Sequence, residues 1–110
     1  MGYELVAYQV ALELARELRP VVETLNRHDR NLADQLKRAA TSVVLNVAEG
    51  EGLSGKRRTN HFRIALGSAR EANACLDLSH AWGYTQPDQK VQALFKRTRA
   101  LLAGLTKANR

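Results

Sequence analysis

Apolar residues recur at steps of three and four in four separate stretches of this 110-residue chain. That spacing returns each side chain to one face of a 3.6-residue helix, whereas a half-buried strand alternates every second residue. The pattern therefore predicts helices. Turn residues agree. A β-sandwich or barrel needs them every ~8–12 positions. Here Pro20 and Pro87 are the only prolines, and four of the seven glycines stand at positions 50, 52, 55 and 67.

The first stretch runs from about Tyr3 to Asn26, with Ala7, Ala11, Leu14, Leu18, Val21 and Leu25 on its stripe. Pro20 interrupts it, and a proline inside a helix removes one hydrogen bond. The stripe keeps its phase past Pro20, which favours one kinked helix over two helices. The second stretch runs from about Asn31 to Glu49 on Leu32, Leu36, Ala39, Val43 and Val47. Asn31 is the expected N-cap, and Gly50 and Gly52 the expected stop. The third runs from about Ser54 to Trp82 on Phe62, Ala65, Ala69, Ala72, Leu76 and Ser79. Its middle is small (Ala65, Gly67, Ser68, Ala69, Ala72, Ala74), so neighbouring helices can approach closely. Gly83 closes it. The fourth starts with Pro87 as first helical residue and Asp88 complementing the helix dipole, and carries Val91, Leu94, Thr98, Leu101 and Leu105. Residues 106–110 are expected to fray. The reading is a single domain over residues 1–110: an all-α, antiparallel up-down four-helix bundle with connections near 27–31, 50–55 and 83–87.

Several function classes drop out. Cys75 is the only cysteine, so an intrachain disulfide and a thiolate zinc site are excluded. No apolar run reaches the ~20 residues of a membrane span. The opening Met1-Gly2-Tyr3-Glu4 has neither the basic segment nor the apolar core of a signal peptide. These features predict a cytoplasmic protein without a membrane role. Gly50-Glu51-Gly52-Leu53-Ser54-Gly55 fits the spacing of a dinucleotide-binding loop and, with Lys56, most of a phosphate-binding loop. Both need a preceding β-strand, and the residues before Gly50 read as helix. Arg57 stands where the second motif requires Ser or Thr. None of the seven glutamates has a histidine three residues later, as a di-iron bundle requires. No catalytic, metal or cofactor site is predicted, and Cys75 reads as a small packed residue.

Charge is segregated along the chain. Residues 1–34 hold four cations and six anions, residues 35–70 seven cations and two anions, residues 71–89 three anions and no cation, and residues 90–110 six cations and no anion. The cations at Lys37, Arg38, Lys56, Arg57, Arg58, Arg63, Arg70, Lys96, Arg97 and Arg99 are the candidate nucleic-acid-binding residues, with Lys90, Lys107 and Arg110 in the same blocks. In an up-down bundle the two basic blocks can share one surface, and such a surface attracts polyanions. A merely solvated helix face stays open as the alternative. Aromatic residues are too sparse among these cations for stacking on splayed bases.

Four polar residues need partners. Asn46 and Glu49 lie one turn apart, and Ser68 and Glu71 repeat the spacing in the third stretch. They form either a paired-carboxylate site or a buried polar network joining the second and third helices, with Arg38 a further candidate member. The network is the favoured reading, because an unsatisfied buried polar group costs ~1–3 kcal/mol.

The run Gln35-Leu36-Lys37-Arg38-Ala39-Ala40-Thr41-Ser42-Val43 through Asn46-Val47-Ala48-Glu49-Gly50-Glu51-Gly52 resembles a known family. So do Phe62-Arg63-Ile64-Ala65-Leu66-Gly67-Ser68-Ala69-Arg70-Glu71 and the closing Gly83-Tyr84. The chain resembles, over residues 3–84, the four helix bundle proteins, also called rRNA intervening-sequence proteins, and their relative, the accessory variability determinant of diversity-generating retroelements. Val44 and Leu45 stand where that pattern usually has a hydrophobic residue and a proline. The resemblance implies a ring-shaped homopentamer, and for the retroelement relatives a basic nucleic-acid-binding surface and a reverse transcriptase partner. It implies no catalytic residues. Apolar residues outside the main stripes (Val10, Val44, Leu45, Ile64, Leu66 and Leu78) fit an oligomer, because a monomer would expose several of them. Two functions stay open: a non-enzymatic protein that binds DNA or RNA with little sequence preference, and a homo-oligomeric scaffold for a protein partner.

Overall fold

The computed structural model describes residues 2–107, the side chain of Tyr3 excepted. These residues form four helices, α1 (Tyr3–Asn26), α2 (Arg30–Glu51), α3 (Gly55–Ala81) and α4 (Gln89–Lys107), with no strand among them. Each helix packs against the next in sequence, and α4 packs against α1. Position 110 and its cation Arg110 lie outside the described residues.

The stripes read from the sequence are the core. Leu14, Leu18, Leu25, Leu36, Leu76, Val91 and Phe95 cluster toward the end that holds the α1–α2 turn. Ala7, Ala11, Val43, Val47, Phe62, Ala65, Ala69, Leu102 and Leu105 cluster toward the other end. Ala65, Ala69 and Ala72 are fully buried on α3, so both α2 and α4 pack closely on it. Gly67 and Ala74 do not share this role, since both are exposed. The reason is angular: two residues at ~100° each carry Gly67 to nearly the opposite side of the helix from Ala65 and Ala69.

Helix ends differ from the sequence reading in three places. Asp29 caps α2, its carboxylate accepting from the Leu32 N–H at 3.0 Å, and Asn31 lies inside the helix. Asp29 wins because its extended backbone leaves the side chain facing the first-turn amides. Gly50 does not stop α2 but is buried within it, and Gly52 is the C-cap. Pro87 precedes α4; Asp88 accepts from the N–H groups of Lys90 and Val91 and takes the cap position. At the end of α3, Gly83 adopts φ 75°. Its N–H reaches the His80 carbonyl and the Tyr84 N–H the Ser79 carbonyl, the paired bonds of a Schellman cap.

Pro20 leaves α1 a single helix. Pro20 is itself exposed, and Leu18 and Leu25 stay buried on either side of it. Of the surplus apolar residues, Leu45, Ile64 and Leu78 are exposed, Val44 and Leu66 half-buried. Val10 is the correction: it is buried, completing the α1 stripe beside Leu14.

The cap assignment is testable. Asp29→Ala is expected to lower unfolding free energy by about 1 kcal/mol in urea denaturation, the usual worth of an N-cap. Asn31→Ala, an exposed helical position, is expected to stay within about 0.5 kcal/mol of wild type.

Candidate nucleic-acid interface

The α2–α3 connection is only residues 52–54, and Gly55 opens α3 with φ 63°, a left-handed conformation that favours glycine. From there Lys56, Arg63 and Arg70 follow at intervals of seven residues, all exposed. Seven residues are nearly two turns, so the three cations lie in one row roughly 10 Å apart along the axis. Lys56 and Arg63 line a shallow depression with Thr59 and Asn60. Arg70 lines the next one with Asn73, Ala74, Asp77 and Arg99 of α4. Arg99 donates to the Asn73 side chain, which holds the guanidinium against α3. Lys56, Arg63, Arg70 and Arg99 thus belong to one face, with Asp77 the acidic side chain at its end.

The other predicted cations divide. Arg58 is a packing element, not a free surface charge. Its guanidinium pairs with Glu4 at 3.1 Å, donates to the Gly50 carbonyl at 3.3 Å and lies 4.8 Å over the Phe62 ring. Its side chain is only 20% exposed. Arg38 pairs with Asp34 one turn earlier on α2. Lys37 lines the cleft between α1 and α2 beside Glu23, Leu18 and Ala40. Lys37 and Arg38 therefore lie beside acidic groups at a different groove from the α3 row, which splits the first basic block, while Arg70 and Arg99 bring part of both blocks onto one face. Arg57, Lys96 and Arg97 are exposed and line neither depression on the α3 face.

The polar network between α2 and α3 exists with different members. Ser42 and Ser68 share a 2.7 Å hydrogen bond. The Asn46 side-chain amide donates to the Ser42 carbonyl at 2.9 Å and its hydroxyl at 3.1 Å, and the Asn46 carbonyl oxygen accepts from His61 Nδ1 at 2.9 Å. Asn46 and Ser68 belong to it. Glu49 and Glu71 are exposed and outside it, because the exposed row of each helix, not its packed edge, falls at their positions. Ser42 and His61 were missed. Their signal was the four-residue step from Ser42 to Asn46 and the seven-residue step from His61 to Ser68. This arrangement orients side chains; it gathers no pair of carboxylates.

Burial first, and the Glu71 carboxylate second, push the Cys75 thiol above its ordinary value. A thiol so placed is a poor nucleophile. Among the described residues no three His, Cys, Asp or Glu side chains gather as a metal site would need. No described helix is long and apolar enough to cross a membrane. Gly50, Gly52 and Gly55 fall in a helix, at its cap and at the start of the next helix, without the strand that a nucleotide-binding loop follows.

The family model of the 23S rRNA-intervening sequence proteins matches residues 3–107. A 1.70 Å crystal structure from Bacteroides thetaiotaomicron, of a protein with unknown function from the S23 ribosomal protein family, has the same fold. It superposes with a TM-score of 0.84 at 22% identity, covering 96% of this chain and 99% of that one. No curated protein matches the chain.

Two substitutions separate packing from surface charge. Arg58→Ala removes a half-buried ion pair, a carbonyl hydrogen bond and a ring contact, and is expected to cost about 2 kcal/mol in urea denaturation. Arg57→Ala, at an exposed neighbouring position, is expected to cost less than about 0.5 kcal/mol. Cys75 is expected to react with a thiol-specific disulfide reagent only as fast as the protein unfolds, and at once in denaturant.

Proposed function

We propose that this chain, which belongs to the 23S rRNA-intervening sequence protein family, is a non-enzymatic helical bundle that binds nucleic acid through its phosphates, with little sequence preference. The observation that carries this reading is the unneutralised state of the α3 row. At Lys56, Arg63 and Arg70, none of the positions three or four residues to either side is Asp or Glu. Helical cations on an ordinary solvated face gain from acidic neighbours at those spacings. Elsewhere in this protein they do so: Arg19 pairs with Glu23, and Arg38 with Asp34. The α3 row instead keeps its charge available, which is what phosphate contact requires.

The bundle takes an antiparallel course in this reading. Partners across α2 and α3 fall in number on one helix as they rise on the other: Ser42 with Ser68, Asn46 with His61, Gly50 with Phe62. It works in the cytoplasm as a homo-oligomer, a pentameric ring on the family resemblance, with DNA or RNA as partner and a reverse transcriptase or other protein as a further one. The exposed Leu45, Ile64 and Leu78 support self-association. A ring repeats the basic row in each subunit, so weak contacts add.

A homo-oligomeric scaffold for a protein partner is the second reading, favoured by those same apolar residues. Salt separates the two. Wild-type protein is expected to bind RNA and DNA at ~50 mM salt and to lose most of that affinity by ~200 mM, as phosphate-dominated binding does. Lys56, Arg63 and Arg70, changed together to Gln, are expected to weaken binding about tenfold or more with oligomer mass unchanged in light scattering. Arg58 is left intact in this variant, because its loss would perturb the fold. Absence of wild-type binding at the lower salt would leave the scaffold reading. A mass near the 12.2 kDa of one chain would remove self-association from both.

A further inference from the structure

Gly67 lies in the middle of α3 at the centre of its exposed face, between Arg63 and Arg70 of the basic row. A helix interior disfavours glycine relative to alanine. Within the subunit nothing requires it here. A Cβ built at Gly67 meets no atom within 4 Å, and its φ is not in the left-handed region. The contrast with the other helical glycines is informative. Gly50 has a reason inside the fold, since its Cβ would stand 2.8 Å from the Phe62 ring. Gly104, also in open space, lies in the last turn of α4, where helices fray and glycine costs little.

From this we infer that Gly67 is the point where the sugar–phosphate backbone of a double helix approaches α3, with Arg63 and Arg70 flanking it. The inference rests on the nucleic-acid reading above and deepens it by naming the ligand class. A side chain at residue 67 would stand between the two guanidinium groups and hold a backbone ridge away from them. Ala74 continues the low strip one step further, and Arg99 closes its α4 side. Charge selects the occupant: Lys56, Arg63 and Arg70 lie on this face, and residues 52–70 contain no acidic residue. Duplex is favoured over single strand because Lys56, Asn60, Arg63, Gly67, Arg70 and Ala74 offer no aromatic face to an unstacked base. Insertion of α3 into a groove is not required, since backbone contacts carry the binding. Ile64 and Leu78 border the same face, which makes a second copy of this chain the competing occupant.

The experiment uses full-length wild type, Gly67→Ala and Gly67→Gln. Each is titrated into labelled 20-base-pair RNA and DNA duplexes and the matching single strands at ~50 mM salt, the range where phosphate contacts are strong. Oligomer mass and thermal midpoint are measured on the same samples. Both variants are expected to melt several degrees higher than wild type, because each replaces a helix glycine. Gly67→Gln is expected to bind both duplexes at least fivefold more weakly, Gly67→Ala less so, with oligomer mass unchanged. Wild type is expected to prefer either duplex over single strands. If Gly67→Gln binds duplex within twofold of wild type, the inference fails while the nucleic-acid reading stands. If wild type binds nothing, both fail. A changed oligomer mass in Gly67→Gln assigns the gap to a second copy and overturns the inference. Equal wild-type affinity for single strands overturns its duplex specificity.

Discussion

A single methyl group at residue 50 would stand 2.8 Å from the Phe62 ring, closer than carbon atoms pack. That missing methyl lets α2 and α3 meet at the end of the bundle where the chain turns between them. Phe62 is wholly buried and anchors one of the two core clusters. Arg58 lies over its ring face, tied to the Gly50 carbonyl and to Glu4 at the start of α1. One glycine, one ring and one guanidinium thereby join three helices. Once this end is fixed, Ser42 meets Ser68 and Asn46 meets His61 two and one turns further along, setting rotation as well as spacing. The direction in which the α3 cations point follows from that rotation.

Much of this was legible in the residues. Every position named for the α3 stripe, from Phe62 to Ser79, is buried, because helical period alone decides which side of a long helix faces inward. The failures have physical causes. Asn31 and Asp29 are both competent cap residues two positions apart, and periodicity does not choose between them; the extended backbone at Asp29 does. Gly50 read as a stop because glycine commonly ends helices, yet here it serves a contact with a residue twelve positions away, which no local pattern encodes. Glu49 and Glu71 shared the spacing of a polar network but not its helix face. Arg58 looked like one more cation in Lys56-Arg57-Arg58. The bonds that single it out come from α1 and α2, elements remote in sequence.

The cationic reading was legible in kind but not in extent. Counting charge along the chain found the two basic blocks and suggested one shared surface. Folding divides the first block and joins part of it to the second: Lys37 and Arg38 come to rest beside Glu23 and Asp34, while Lys56, Arg63 and Arg70 share a face with Arg99. The difference arises because net charge per segment ignores which helix face each residue occupies. A seven-residue interval between cations is a better indicator than their number, since it survives the winding of the helix.

The energetic cost of leaving that row unpaired is small, which explains how the fold tolerates it. Unit charges roughly 10 Å apart in water repel by about 0.4 kcal/mol before screening. At ~0.1 M salt the separation is already about one Debye length, so most of that repulsion is lost. Forgone pairing with acidic neighbours adds about 0.2–0.5 kcal/mol per cation. Against a dense polyanion the balance differs. A double helix carries a charge every ~1.7 Å of its axis and releases condensed counterions for each phosphate neutralised. In the proposed complex the same three cations, which contribute almost nothing to folding, would act together on the phosphates. A surface tuned only for solubility would gain as much from cations interspersed with carboxylates. The row on α3 gives up that gain at Asn60, Gly67 and Ala74, each four residues after a cation and each uncharged.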